Sequence, residues 1–425
     1  MSTEHAGRAQ HDDRTRHDDR TRHDVRTLTD PAQRRAAWDV FLQTLHRGPV
    51  QDEPWEAHGQ APDEHWLGAH TAGEVVGCAF SFPTRVTTPG GARIDAAAVS
   101  GVGVRADSTR AGRLTALMRA QLTAARDRGD VATVLRASEA AIYGRFGYGI
   151  ASRAEHVSLT PRPSWRPEAP AGGPVRMLDA AEAAKVLPSL QERLAADRPG
   201  GMTRNPRWWR RALSPAGPTA SDYKGIAVHT GPDGADDGFA VWGVREADLG
   251  RDPGDDITVQ QLWAGSPAAT AGLWAFLAGI DLIRSVTAWA RPRDEDLGLW
   301  LVDPRAHRVT GRDDELWVRI VDPAAALAAR TWGAGEPVVL RVRDPLFDHW
   351  SGTWRLGPDG PSPAGDASPD LECDTAGLGT VFLGDRAPST LVTAGRWTEH
   401  TPGAAARADR LFDVGAPVPW CGTFF

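Results

Sequence analysis

The stretch that most constrains the fold is a loop of small residues between an apolar run and an apolar, helix-compatible segment. Its centre runs from Gly101 to Leu114 and is rich in glycine, serine, threonine and arginine. A strand, such a loop and a helix in this order suit a phosphate, because backbone N–H groups can approach the anion and the helix N-terminus carries partial positive charge. Arg110 and Arg113 can add charge-assisted hydrogen bonds. From this stretch alone, an ordinary connection with solvated arginines explains the pattern equally well.

Length and charge set the outer limits on what the chain can be. The 425 residues suffice for two to four domains of about 100–200 residues each. Hydrophobic residues make up 41% of the chain, so each domain can bury a core. The net charge of −7 argues against a general nucleic-acid binder, which carries a basic domain or stripe. The apolar runs are too short for a membrane span of about 20 residues.

Cysteine usage points to a reducing compartment. Cys78, Cys373 and Cys421 are far apart and odd in number. They show neither a disulfide framework nor the spacing of a zinc site, so we expect no metal. The N-terminus has no apolar signal core. The sequence therefore predicts a soluble, cytoplasmic protein.

Residues 1–24 are of low complexity. The unit His-Asp-Asp-Arg-Thr-Arg begins at His11 and again at His17. A tract that alternates histidine, aspartate and arginine has no apolar face to bury, so we predict a disordered tail. Metal binding by its histidine and aspartate residues is the alternative.

Punctuating residues predict the elements around the loop. Asp30–Pro31 predicts a helix start, with an N-cap acceptor followed by proline at the first helical position. Pro89–Gly91 predicts the turn between two strands. Ser138–Glu139 predicts a short helix, which leads into the run Ile-Tyr-Gly-Arg-Phe-Gly-Tyr-Gly at Ile142–Gly149. Gly357–Pro369, rich in proline, glycine, serine and aspartate, predicts a loop.

With this run, the order of elements resembles the GNAT superfamily of N-acetyltransferases, and most closely its Eis-type (enhanced intracellular survival) branch. The residues that carry the resemblance are Val102–Val104, Arg110–Leu114, Ala137–Glu139 and Ile142–Gly149. In that fold a splayed strand with the following loop and helix binds acetyl-CoA, and a later tyrosine lies beside the thioester. The resemblance covers roughly residues 25–425.

The resemblance implies an α+β (α/β) fold with two tandem GNAT acetyltransferase-like domains followed by a sterol-carrier-protein-like domain. We expect the first domain at residues 25–152, the second at 153–311 and the third at 312–425. The corresponding loop of the second domain, Gly265–Ala268, lacks the arginine and glycine spacing of the first. We therefore predict that the second domain binds no cofactor.

The resemblance also assigns residues to acetyl-CoA, the expected co-substrate. Backbone groups at the end of the splayed strand would serve the cofactor and its thioester oxygen, and the loop would hold the pyrophosphate. The predicted cofactor-binding residues are Val102, Gly103, Val104, Arg110, Ala111, Gly112, Arg113, Leu114, Thr115, Ser138 and Glu139.

Acetyl transfer to an amine needs a proton acceptor for the amine and a proton donor for the departing thiolate. The resemblance implies that Tyr143 is the general acid, and a phenol with a pKa of about 10 suits a proton donor because it stays protonated at neutral pH. A packed aromatic side chain is the alternative for this residue.

The resemblance assigns the general base to the C-terminal carboxylate of Phe425. A frayed terminus is the ordinary alternative, but the last seven residues are mostly apolar, which favours burial. A free carboxylate with a pKa of about 3.5 is a weak base, so it needs desolvation, a bridging water or an amine of lowered pKa.

The resemblance implies that the substrate is a primary amine of a cationic small molecule, aminoglycoside-like or polyamine, or of lysine. An acidic loop after the first helix could attract it, although a solvated loop explains those residues equally well. They are Asp52, Glu53, Glu56, Asp63 and Glu64. The resemblance also implies a homohexamer. Two other functions stay open: a lipid-binding or scaffold protein, and a regulator that binds acyl-CoA without turnover.

Overall fold

Nineteen strands of the described chain form three sheets. The structure is a computed structural model that describes residues 24–50, 55, 63–214, 223–245 and 255–425. The predicted N-terminal tail, residues 1–24, lies outside the described residues apart from Asp24. Chain contacts divide the molecule into two units. The first comprises the described residues up to Val50 with Trp66–Ala79 and Gly101–Ala120, and the second comprises the rest.

The first unit has strand order β1-β2-β3-β4, with β3 and β4 continuing into the second unit. Its first helix begins as predicted, because the Asp30 side chain accepts a hydrogen bond from the Ala32 N–H at 3.0 Å and Pro31 follows. The elements are β1 Asp24–Thr27, α1 Pro31–Thr44, β2 His65–Thr71, β3 Glu74–Thr87, β4 Arg93–Val104 and α2 Arg113–Asp127.

In the second unit the first sheet has order β3-β4-β5-β14-β6. Its further elements are β5 Ala132–Leu135, α3 Ala140–Tyr143, β6 Gly149–Ile150 and β14 Trp317–Ile320. The sequence places Trp317–Ile320 in the third domain, whereas the structure pairs this strand antiparallel with β5 and β6. All four of its residues are buried, and buried backbone groups require hydrogen-bond partners, which the gap between β5 and β6 supplies.

A second sheet of seven strands has order β13-β7-β12-β11-β10-β9-β8. Its one parallel pair among the described residues, β11 with β12, runs from Asp255 and Ile283 to Val259 and Ala288, with a register shift after Asp255. The elements are β7 Arg153–Leu159, β8 Val175–Met177, α4 Ala180–Ala196, α5 Pro206–Leu213, β9 Lys224–Thr230, β10 Asp236–Arg245, β11 Asp255–Ala264, α6 Pro267–Gly279, β12 Ile283–Arg291 and β13 His307–Asp314.

The third sheet has five strands in the order β17-β16-β15-β18-β19. The predicted loop Gly357–Pro369 contains a strand, β17, because backbone pairing with β16 outweighs its turn-forming composition. The elements are α7 Pro323–Ala328, β15 Val338–Arg343, β16 Gly352–Gly357, β17 Gly360–Pro363, β18 Leu371–Asp374, α8 Thr375–Phe382, α9 Pro388–Thr393, β19 Thr398–Glu399 and α10 Ala404–Phe412.

Helix α8 joins the third sheet to the first sheet of the second unit. All eight of its residues are buried, and it packs against β14 and β6. Close approach depends on glycine: a Cβ at Gly379 would overlap the carbonyl oxygen of Val318, and one at Gly149 would overlap that of Ala376. None of the described helices has both the length and the hydropathy required to cross a bilayer.

This packing predicts opposite effects for two helical glycines. Gly379→Ala should lower the melting temperature, because its methyl group meets the Val318 backbone and overpacking of this kind costs about 1–3 kcal/mol. Gly279→Ala, at the end of α6 with open space around it, should leave the melting temperature unchanged or raise it. Thermal unfolding followed by circular dichroism measures both. Equal melting temperatures for the two variants would contradict the proposed contact.

Candidate active site

The predicted phosphate loop is a left-handed turn at the start of a long helix. β4 ends at Val104, and the 15-residue α2 begins at Arg113. Between them, Arg110 and Gly112 have φ angles of 59° and 81°. Left-handed backbone in a loop lets successive N–H groups converge on an anion, and the helix N-terminus adds partial positive charge. The loop therefore has a backbone conformation that fits a phosphate.

The two arginines predicted to bind the phosphate, Arg110 and Arg113, differ in their contacts. Arg113 donates from Nη1 to the carbonyl oxygen of Ser108 at 2.8 Å and from Nη2 to the hydroxyl of Thr71 at 2.9 Å. Its guanidinium thus braces the loop within the first unit. Arg110 is exposed, so it is the loop cation that solvent or an anion can reach.

The other predicted cofactor residues of the first unit lie on the strand end and the first helical turn. Gly103 is buried, and a Cβ there would come within 3.0 Å of the Thr44 side chain. Val102, Val104 and Leu114 are half-buried, and Ala111, Gly112 and Thr115 are exposed.

The helix that follows β11 in the second sheet, α6, has its N-terminus occupied by side chains of the protein itself. Ser266 caps α6 by accepting from the Ala269 N–H at 3.1 Å, and its hydroxyl donates to Asp237 at 3.0 Å. The other oxygen of Asp237 lies 2.5 Å from Nδ1 of His229, which is 1% exposed. A carboxylate of the protein therefore lies where an anionic ligand would need to approach this helix.

Tyr143 is the last residue of α3 in the second unit. The exposed Ser138 and Glu139 directly precede the first residue of this helix. The Tyr143 side chain is 6% exposed, and its ring lies edge-on to Tyr148 with centroids 6.0 Å apart. Burial, reinforced by the negative charge of Glu139, raises the pKa of Tyr143 to about 12. The phenol is therefore protonated throughout the neutral range and can act as a proton donor.

The C-terminal segment is docked rather than frayed: Trp420, Cys421 and Thr423 are buried, whereas Phe424 is exposed. The Trp420 N–H donates to the carbonyl oxygen of Pro199 at 2.9 Å, and its indole Nε1 donates to that of Ala290 at 2.8 Å. Its ring lies 4.4 Å from that of Trp263, a contact worth about 0.5–1.5 kcal/mol beyond the buried area. Trp420 thus anchors the tail against β11 and β12.

A fully buried carboxylate, Glu315, holds the next two residues. Its two oxygens accept from the N–H groups of Cys421 and Gly422, each at 2.9 Å. The Ser152 hydroxyl also donates to it at 2.9 Å, and Arg136 lies 3.4 Å away. Leaving a buried N–H unpaired costs about 1–3 kcal/mol, so Glu315 contributes strongly to fixing the tail.

Three side chains donate to successive carbonyl groups of the tail. The pairs are Arg204 Nη2 to Gly422 at 2.6 Å, Arg136 Nη1 to Thr423 at 3.3 Å and Trp208 Nε1 to Phe424 at 2.7 Å. The Phe425 ring packs edge-on against Phe82 with centroids 5.7 Å apart. The peptide groups leading to the terminal carboxylate are therefore fixed up to the last residue.

A cleft of about 300 Å³ opens beside the tail. Its wall includes Trp289 and Phe424, whose ring centroids are 5.4 Å apart, with the Arg136 guanidinium 4.8 and 5.3 Å from them. The two aromatic side chains are 41% and 50% exposed, a large fraction for aromatic residues. The cleft can therefore accommodate part of a small organic molecule next to the chain terminus.

The predicted site residues are divided between the two units. Ser138, Glu139, Tyr143 and Phe425 belong to the second unit, and the loop at residues 102–115 belongs to the first. Within the described residues, no hydrogen bond, ion pair or ring contact joins Tyr143 to Phe425. Sequence reasoning missed the residues that hold the tail, because no local pattern marks them. They are Ser152, Arg204, Trp208 and Glu315.

The acidic loop gives limited support to the predicted cation-attracting wall. Asp52, Glu53 and Glu56 lie outside the described residues, and Asp63 is exposed. Glu64 is 5% exposed and forms an ion pair with Arg207, so its charge is neutralised within the protein. Glu64 therefore does not serve as an unpaired anionic group for a substrate.

Comparisons with known proteins match the whole domain order. Acetyltransferase (GNAT) domain families match residues 25–151 and 200–320, and a sterol carrier protein domain family matches residues 323–422. These matches confirm the predicted order of two GNAT domains and a sterol-carrier-protein-like domain.

Individual relatives that match most of the chain indicate the same family. The N-acetyltransferase Eis of Mycobacterium tuberculosis is 32% identical over 364 residues, which cover 83% of this chain and 86% of the relative. An uncharacterized N-acetyltransferase of Streptomyces coelicolor is 37% identical over 413 residues, covering 91% and 97%. The crystal structure of Eis1 from Mycobacterium abscessus superposes with a TM-score of 0.84 at 35% identity, covering 95% of this chain and all of that one.

The burial of Tyr143 predicts an alkaline shift in its ionisation. Near-ultraviolet phenolate absorbance of the wild-type chain minus that of Tyr143→Phe should isolate one of the three tyrosines. The difference should stay near zero through pH ~10, the usual phenol pKa, because the pKa of Tyr143 is about 12. A midpoint near pH ~10 with circular dichroism unchanged would contradict the burial of this phenol.

Proposed function

The chain belongs to the Eis family of GNAT N-acetyltransferases, and from this membership we propose that it moves the acetyl group of acetyl-CoA to a primary amine. The amine belongs to a cationic small molecule, aminoglycoside-like or polyamine, or to lysine. The observation that carries the proposal is the C-terminal peptide, which is hydrogen-bonded at Cys421, Gly422, Thr423 and Phe424 and ends in a carboxylate.

The loop of the first unit supports acetyl-CoA as the donor. Bound there, acetyl-CoA supplies a thioester, whose acyl carbon the amine attacks and whose thiolate leaves. The left-handed backbone at Arg110 and Gly112 and the N-terminus of α2 fit its pyrophosphate, with Arg110 as the exposed cation. Val102 and Val104 would offer backbone groups to the thioester end, and Ser138 and Glu139 would line the cofactor.

The proposed general base is the α-carboxylate of Phe425. An ammonium must lose a proton before its nitrogen can attack, and an exposed carboxylate with a pKa of about 3.5 accepts one poorly. The tail that carries this carboxylate is held by the half-buried side chains of Trp208, Phe82 and Arg204, and partial removal of the carboxylate from water would strengthen it as a base.

The proposed general acid is Tyr143. As the C–S bond breaks, the thiolate needs a proton, and the protonated phenol can supply it at neutral pH. The burial that raises its pKa to about 12 also keeps the donor fully protonated at every pH at which the enzyme would work.

The proposed division of work leaves the second domain without cofactor. Its helix N-terminus is capped by Ser266, and Asp237 adds a negative charge that would repel a pyrophosphate.

We also propose a cytoplasmic location and a homohexamer, which rest on family resemblance and are testable by fractionation and sedimentation.

Replacing the proposed acid should separate chemistry from binding. Tyr143→Phe should lower kcat by about 10²-fold or more, the usual size of a general acid contribution, with little change in KM for acetyl-CoA. Release of free CoA thiol with a panel of amines is the readout. Tyr223→Phe, at an exposed position, is the matched control and should retain wild-type turnover. Wild-type kcat in Tyr143→Phe would exclude its role as the acid.

The same assay distinguishes an enzyme from a binding protein. The wild-type chain should bind acetyl-CoA saturably by calorimetry and release thiol only when an acceptor amine is present. A lipid-binding scaffold would show no saturable binding of acetyl-CoA. A sensor of acyl-CoA would bind it and release no thiol with any amine, and either result would reject the proposed activity.

A further inference from the structure

We infer that the second acetyltransferase-like domain works as a holder for the chain's own C-terminal peptide, with Glu315 as the positioning residue that fixes the terminal carboxylate. The inference rests on the proposed function for the meaning of that carboxylate. The docking of the peptide, however, is a separate claim with its own readout.

The peptide enters where the parallel strands of the second sheet separate. The register of β11 with β12 ends at Val259 and Ala288, although β11 continues to Ala264 and β12 to Arg291. Trp420 lies against the continuing ends of both strands, since its indole donates to the Ala290 carbonyl at 2.8 Å and its ring packs on Trp263. The tail therefore occupies one side of the opening that the strands leave, and the cleft of about 300 Å³ lies beside it.

Side chains of the second domain extend this contact along the peptide. Arg204 Nη2 donates both to Gln261 of β11 at 2.7 Å and to the Gly422 carbonyl at 2.6 Å. Its Nε donates to the Thr423 hydroxyl at 3.0 Å. Arg204 also lies over the Trp208 ring at 3.8 Å, so one arginine connects the strand, the tail and helix α5.

Glu315 lies at the junction where the chain crosses between the two sheets. It follows β13 and precedes β14, and Ser152 occupies the opposite crossing, between β6 and β7. The two crossings are joined, since the Glu315 N–H donates to the Ser152 carbonyl at 2.9 Å and the Ser152 hydroxyl donates to the Glu315 carboxylate. The carboxylate that accepts from Cys421 and Gly422 is thus part of this rigid junction.

In the peptide itself, docking requires a glycine at position 422. Its φ is +57°, and a Cβ there would lie 2.6 Å from the Trp420 ring and 2.7 Å from the Trp263 ring. Alanine would therefore force the peptide away from both indoles. Gly415 has a similar φ of +64° but open space around it, so it carries the same backbone strain without the clash.

The test uses full-length Glu315→Gln and Gly422→Ala. Glutamine offers one carbonyl oxygen and one NH₂ group, so one of the two tail N–H groups would face a donor. In both variants, hydrogen exchange at the Cys421 and Gly422 amides should accelerate at least ~10-fold. Carboxypeptidase should release Phe425 faster, and kcat should fall at least ~10-fold with KM for acetyl-CoA unchanged.

Two matched variants control for charge and strain. Asp313→Asn neutralises an exposed carboxylate on β13, and Gly415→Ala reproduces the positive-φ strain; both should retain wild-type exchange and turnover. If Glu315→Gln fails to fold, Gly422→Ala decides the question, because Gly422 lies on the peptide. Wild-type protection of the tail amides in a folded Gly422→Ala chain would overturn the inference. Faster exchange of the tail amides with unchanged kcat would support the second domain's role in holding the peptide and would reject the terminal carboxylate as the general base.

Discussion

The C-terminal site depends on a single buried carboxylate that meets three hydrogen-bond donors and a guanidinium. Removing Glu315 from water costs several kcal/mol, and the Cys421 and Gly422 N–H groups, the Ser152 hydroxyl and Arg136 offset that cost. The Cys421 and Gly422 N–H groups and the Ser152 hydroxyl would in turn lose this acceptor if Glu315 were lost. This mutual dependence gives the last residues one position.

The chain leaves Glu315 to build the third domain and returns to it with its C-terminal residues. From Glu315 the chain forms β14, which completes the first sheet, and then builds the third domain. Helix α8 packs that domain on β6 and β14 through Gly149 and Gly379. The final segment then returns to Glu315. The third domain therefore connects Glu315 to the C-terminal peptide. Its buried contacts fix the position from which that peptide returns to the junction between the sheets.

Local signals predicted local structure. Asp30 caps its helix as predicted, by accepting from a backbone N–H, and the positive φ at Gly112 fits the predicted loop. The run at Ile142–Gly149 led to the family, which the comparisons confirm. Pairings between distant segments gave no such signal. β14 pairs with β5 and β6 through backbone groups, and the contacts of Glu315 with Cys421 and of Glu64 with Arg207 join residues far apart in sequence.

We propose that the terminal α-carboxylate accepts the proton of the amine, and a chain ending in a carboxamide tests this role most directly. Semisynthesis can replace only the acid of Phe425 with its neutral, nearly isosteric amide and leave every side chain in place. Thiol-release kinetics should then show kcat reduced by about 10²-fold or more with KM for acetyl-CoA unchanged. Wild-type kcat in the amide chain would contradict the claim.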